Sequence, residues 1–192
     1  CLHKPTPELI RESDHVLSYL ARTADIGLTY SKDHVRLKGF ADASWETAAS
    51  TSGWVILWQS AAISWGSRKQ KSIALSTCEA EIIALSEAAK DVVYMRKQVR
   101  GLDAEEPGPT QLSTDSKSAR DVSYNLQHHD KMKHVQRRHF YVRDMVETFE
   151  LEVPYVRTVD NMADILTKPM KDAKQFHRLR RMIMNDPDVE GA

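Results

Sequence analysis

Hydrophobic positions change their period along the chain, and each change marks an element. Between residues 6 and 23, Ile10, His15, Val16, Tyr19 and Leu20 follow helical spacing, which predicts a packing helix. Thr6-Pro7-Glu8 suits its start, with proline in the first turn and an acid beside it. After Gly27, Leu28-Thr29-Tyr30 reads as a short strand. From Val35 the period falls toward two. Val35 to Asp42, Gly53 to Trp58 and Ala61 to Trp65 read as three successive strands, the last two joined by a tight hairpin at Gln59-Ser60. Such a run predicts an antiparallel meander. Trp54, Trp58 and Trp65 follow strand period and are expected in the core.

Helical spacing returns at Ser76-Thr77-Cys78-Glu79, a capping box that opens a helix to about Gly101. Its inward stripe is Glu81, Leu85, Ala88, Val92, Met95 and Val99, so a carboxylate heads an otherwise apolar face. Pro107-Gly108-Pro109 breaks the chain before a strand at 110–114, with Asp115 at its carboxyl end and a helix after Ser116. A helix at about 135–149 is expected to bury Val135, Phe140, Val142, Met145, Val146 and Phe149. A last strand at 151–156 and a short helix at 161–169 carrying Asp164 follow. Residues 172–192 read as a basic amphipathic tail with a polar end. The order of elements is that of an α/β protein.

At 192 residues the chain holds one well-buried domain with an appendage. Its 27 basic and 27 acidic residues cancel, so bulk charge points to no partner; a local patch still can. The densest basic stretch is 128–139, where Lys131, Lys133, His134, Arg137 and Arg138 suit phosphate contact, equally well a solvated helix face. Its histidines match no standard zinc spacing. Two cysteines, Cys1 and Cys78, suggest a reducing, intracellular setting, and no apolar run approaches the ~20 residues of a membrane span. The chain opens on Cys1-Leu2-His3 without a signal-peptide layout, which fits a piece of a longer polypeptide.

Asp42 is the position a core has no use for. It stands where a buried strand exits, and an unpaired buried carboxylate costs several kcal/mol. Glu81, Asp115 and Asp164 are its candidate partners. Any one of them alone is more simply a cap or a surface charge. As an ordered set on strand, helix, strand end and late helix, they suggest a two-metal site for phosphodiester cleavage, with hard cations roughly 4 Å apart. Ser44, Ser76 and Ser118 are hydroxyls within reach of a 2′-OH or phosphate, and no nucleophile elbow of the serine hydrolases is present.

Several stretches together resemble the ribonuclease H domain of copia-type LTR-retrotransposon Pol polyproteins. They are Gly39-Phe40-Ala41-Asp42-Ala43, Ser50-Thr51-Ser52-Gly53, Ile63 to Gln70, Ala74 to Glu81, Thr114 to Ala119, Lys133-His134-Val135 and Asn161 to Pro169. The resemblance covers about residues 28–170, and residues 4–30 are similar to the link from the preceding reverse transcriptase. It implies a connection segment at 1–34, a ribonuclease H-like domain at 35–170 and a tail at 171–192. It further implies a five-stranded mixed sheet with flanking helices. The implied activity is cleavage of the RNA strand of RNA–DNA hybrids by two Mg²⁺ (Mn²⁺ as an alternative) on Asp42, Glu81, Asp115 and Asp164. Ser44, Ser118 and the basic residues would touch the hybrid. The upstream reverse transcriptase would be the partner, in a cytoplasmic particle or the nucleus. Ser44 stands where the family often has a second aspartate, Cys78 departs from a Ser/Thr-rich helix start, and the loop before Asp164 lacks a histidine. A module of this fold that binds nucleic acid or protein without cutting is the alternative.

Overall fold

The computed structural model describes residues 4–32, 36–46, 49–102, 107–124 and 136–185, with 136–139 as backbone only. Its strands are β1 (Lys38–Ser44), β2 (Thr51–Trp58), β3 (Ala61–Lys69), β4 (Thr110–Ser113) and β5 (Leu151–Glu152). Its helices are α1 (Pro7–Arg22), α2 (Thr77–Arg100), α3 (Lys117–Tyr124), α4 (Gln136–Glu147) and α5 (Ala173–Met184), with 3₁₀ turns at Thr158–Asp160 and Met162–Leu166. The strands form one mixed sheet in the order β3-β2-β1-β4-β5, as expected. β1, β2 and β3 are the antiparallel meander, and β4 and β5 add in parallel beyond β1. Gln59 and Ser60 take φ of 51° and 71°, the left-handed conformation that a two-residue hairpin needs to match strand twist.

One face of the sheet carries Ala41, Trp54, Ile56 and Leu112 under α2 residues Ile82, Leu85, Ala88 and Val92, with Val142 of α4 sealing the far side. On the opposite face, Phe40, Val55 and Leu57 pack against Met162 and Ala163 of the second 3₁₀ turn and against Met182 and Ile183 of α5. The predicted tail thus supplies a helix to the sheet's second face, with Leu179 fully buried. α2 begins at its capping serine: Ser76 Oγ accepts from Glu79 N–H at 3.1 Å, and the Glu79 carboxylate accepts from Leu75 N–H at 2.8 Å.

Several expectations need correction. β1 runs two residues past Asp42, because its ladder with β2 continues to the pair Ser44 and Thr51; Asp42 is therefore within the strand. Residues 28–30 form no strand; Thr29 is instead tied by its N–H to the Met184 carbonyl at the end of α5. The final strand stops at Glu152, since Pro154 has no N–H to continue a ladder, and resumes only as a bridge between Thr114 and Tyr155. Trp65 is 59% exposed: it lies opposite Val55 on the edge strand, past a register shift, on a face that α5 only partly covers. Phe140 and Phe149 are exposed, Phe149 standing just beyond the end of α4 with φ of 61°. α1 forms but buries no residue, and touches the rest through Tyr19, which meets Phe176 of α5 edge to face. No described helix is long and apolar enough to cross a membrane.

Candidate metal centre

Strand register assembles the first two carboxylates. β1 and β4 run parallel, their last pair is Phe40 with Ser113, and Asp42 and Asp115 each stand two residues beyond it. Alternation puts both on the face opposite α2, since Ala41 and Leu112 between them point into the α2 core. Glu81 arrives from the first turns of α2, over the strand ends. Carboxylate oxygens of Asp42, Glu81 and Asp115 all lie within 4.8 Å of one another.

Asp164 comes from the second 3₁₀ turn. A 3₁₀ helix has three residues per turn, so side chains three apart eclipse. Asn161, Asp164 and Thr167 are spaced this way, and Asn161 and Thr167 bond to β1 beside them. Asn161, fully buried, donates through Nδ2 to the Ala41 carbonyl at 3.0 Å and to Asp115 Oδ1 at 3.3 Å, while its Oδ1 accepts from Ala163 N–H. Thr167 Oγ1 donates to Asp42 Oδ2 at 2.5 Å. Asp164, 6% exposed, is ion-paired with Lys168 at 2.5 Å and is not in the close group of three. The turn can sit this close because Gly53, paired with Asp42, has no side chain. A Cβ there would fall 2.6 Å from Thr167 Cγ2 and 3.0 Å from the Ala163 carbonyl oxygen.

The acids of the group raise one another's pKa values. Burial, joined by the charges of Asp42 and Asp115, pushes the Glu81 carboxyl up to about 9, and Glu81 Oε2 is buried with no hydrogen-bond partner. Burial also raises Asp42 to about 6, against the Thr167 hydrogen bond and with the charges of Asp115 and Asp164 adding to it. Lys168 is a compensating charge felt by both Asp42 and Glu81. Burial disfavours its ammonium, but the bond to Asp164 and the charges of Asp42 and Asp115 hold its pKa above the ordinary lysine value. Three converging hard oxygen donors, one of them orphaned, fit a divalent cation.

Ser44 is half-buried at the end of β1 and Ser118 is exposed on the first turn of α3. The Ser76 hydroxyl is taken up in capping α2. Lys131, Lys133 and His134 lie outside the described residues, as do His128 and His129; Arg137 and Arg138 open α4, their side chains also outside the description. Sequence reasoning singled out no role for Asn161, Thr167 or Lys168. The signal was their three- and four-residue spacing around Asp164.

No family model matches the chain. It is 35% identical over 171 residues to the retrovirus-related Pol polyprotein of transposon TNT 1-94 from Nicotiana tabacum, which covers 87% of this chain and 13% of that protein. It is 30% identical over 197 residues to the Pol polyprotein of transposon RE2 from Arabidopsis thaliana, over 99% of this chain and 14% of that protein. The chain therefore spans about one seventh of the length of these curated relatives. Among solved structures, the N-terminal RNase H domain of Rv2228c from Mycobacterium tuberculosis superposes with a TM-score of 0.53 at 14% identity, covering 77% of this chain and 97% of that one. RNase H1 from Halobacterium salinarum gives 0.50 at 18% identity, covering 69% and 95%. These likenesses establish the fold.

Proposed function

The chain belongs to the ribonuclease H domains of copia-type retrotransposon Pol polyproteins, and from that premise we propose that it hydrolyses the RNA strand of RNA–DNA hybrids during reverse transcription. The observation that carries this reading is the convergence of Asp42, Glu81 and Asp115 around an unpartnered buried oxygen, with Asp164 beside them. We assign Asp42, Glu81, Asp115 and Asp164 as the residues that hold two Mg²⁺ ions, Mn²⁺ being an alternative. Bound there, such ions supply the positive charge that phosphodiester hydrolysis needs on the attacking water and on the departing 3′ oxygen.

The chain's own contribution is positioning. Asn161 fixes Asp115 to the β1 backbone, and Thr167 holds Asp42 in one orientation, so two carboxylates on different strands keep a constant separation. Glu79 is kept apart by its bond to Leu75 N–H, which leaves Glu81 as the acid of this helix turn that faces the cluster. A hybrid would be recognised by groove shape, by 2′-OH contacts from Ser44 and Ser118, and by phosphate contacts from Lys131, Lys133, His134, Arg137 and Arg138. Residues 1–34 act as the connection to a reverse transcriptase domain, which is the partner within the polyprotein, and residues 35–170 form the nuclease domain with 171–192 as its tail.

Cleavage of an end-labelled RNA–DNA hybrid in Mg²⁺ tests the proposal, beside the same RNA as a single strand and as duplex RNA, with Asp115→Asn as control. Cutting confined to the hybrid and lost in the variant is the expected result. A folded protein that binds the hybrid and cuts nothing, with or without an added reverse transcriptase domain, would replace the nuclease reading with that of a binding module.

A further inference from the structure

Asp164 differs from its three companions in having a resident counter-ion. Lys168 Nζ sits 2.5 Å from Asp164 Oδ1, a buried oxygen with no other partner among the described residues. The ammonium is what balances it. The pair is also asymmetric: the Asp164 side chain is 9% exposed, whereas that of Lys168 is 49% exposed. A long side chain rooted at the surface can withdraw its charge into water at little cost, while the carboxylate cannot follow. The charge of Lys168 is felt beyond Asp164, by Asp42 and Glu81. Asp42, Glu81 and Asp115, by contrast, converge with no cation in direct contact among the described residues, and are open to an ion as they stand.

We propose that Lys168 is a displaceable counter-ion that makes the two metal positions fill in order, the first on Asp42, Glu81 and Asp115, the second only as the ammonium leaves Asp164. This rests on the metal-site assignment above. Charge counting supports the order. Four carboxylates with one divalent ion and the ammonium are left with a single negative charge. A second divalent ion then competes with Lys168 for Asp164, because both together would overcompensate the cluster. Lys168 is in these terms a positioning residue. It sets the concentration of cation at which the full site assembles, and so keeps an isolated domain from holding both ions before a phosphodiester arrives with negative charge of its own.

The test is a calorimetric titration of the full 192-residue chain with MnCl₂ in the absence of nucleic acid, on wild type, Lys168→Met and Lys168→Arg, with Asp42→Asn to mark the first position. Methionine keeps the apolar stem and removes the charge. Wild type is expected to bind one ion well and a second weakly. Lys168→Met should tighten the second step about tenfold or more and leave the first within about twofold. Lys168→Arg should restore the wild-type isotherm, which a merely structural role for the stem would not distinguish from methionine. A second step unchanged or weakened in Lys168→Met, with the first intact, would overturn the proposal while leaving the metal site standing. If wild type takes up no ion, or Asp42→Asn leaves the first step untouched, the metal-site assignment itself fails and the proposal with it.

Discussion

Glu81→Gln should make the metal-free protein more stable while abolishing the proposed hybrid cleavage. The wild-type carboxylate is held at about 9 by burial and by its acidic neighbours, from an ordinary value of 4.5. A folded-state value above the unfolded one means that the folded protein binds the extra proton. Stability from this group is therefore present at low pH and is lost as pH rises toward about 9. Asp42 has the same sign but completes its change near pH 6, so the decline between about pH 6 and 9 belongs to Glu81. The full shift corresponds to a ceiling of about 6 kcal/mol. Effective screening in protein interiors is several times stronger than in a dry medium, which brings the recoverable part to about 2 kcal/mol. For a chain of this size that is about 4–8 °C in Tm.

Thermal unfolding followed by circular dichroism in chelator, at pH 6 and at pH 8.5, reads this directly. Wild type should lose stability between the two and Glu81→Gln should not. Adding Mg²⁺ at pH 8.5 should restore the wild type, by about 2.7 kcal/mol at a hundredfold excess over its Kd, and leave the variant unmoved. Glu79→Gln, whose amide oxygen can still accept from Leu75 N–H, should behave as wild type in stability and cleavage. Equal pH slopes in wild type and Glu81→Gln, or a variant less stable at pH 8.5, would refute the claim that this carboxylate is strained by its neighbours.

Three further substitutions probe the support of the site. Gly53→Ala places a methyl against Thr167 and the Ala163 carbonyl, and should cost about 1–3 kcal/mol in denaturant unfolding and weaken metal binding by displacing the Asp164 turn. Asn161→Leu strands the buried Ala41 carbonyl and frees Asp115, for a stability loss of about 1–3 kcal/mol and a fall in kcat at unchanged hybrid Kd. Thr167→Val removes the hydrogen bond that lowers Asp42, so an NMR carboxyl titration of the metal-free protein should find Asp42 above about 6.

The meander, the α2 stripe and the convergence of Asp42, Glu81 and Asp115 were legible because each follows from a period or a cap that local residues set. Errors arose where the answer lies in a partner segment. Nothing in 35–44 says that its ladder with β2 extends to Ser44, and Trp65 keeps strand spacing while facing the sheet's poorly covered edge. Asp164 was legible as an acid on a late turn, but the type of turn was not. A 3₁₀ turn and an α-helix share the same sequence signals over five residues, yet only the first brings Asn161, Asp164 and Thr167 into one row. The Lys168 ion pair, by contrast, has the four-residue spacing of an ordinary helical pair and could have been read from the sequence.

The parallel join between β1 and β4 explains why this edge of the sheet carries the acidic cluster. Antiparallel neighbours present opposite ends to any one edge, so β1 and β2 could not both deliver a residue at a carboxyl terminus there. β1 and β4 do, and each aspartate stands two residues past their last pair, with carboxylate oxygens within 4.8 Å. A one-residue deletion within β4 would turn Asp115 toward the α2 core and bring Leu112 to the opposite face, exchanging a ligand for a packing defect in a single step. The carboxylates cannot relax away from one another, because Asn161 and Thr167 tether two of them and Gly53 admits the turn that carries a third. Repulsion that the fold cannot relieve is therefore relieved by whatever cation enters. On the proposed metal assignment, the instability of the metal-free protein and its affinity for a cation would be one quantity, and raising the first by pH should raise the second in proportion.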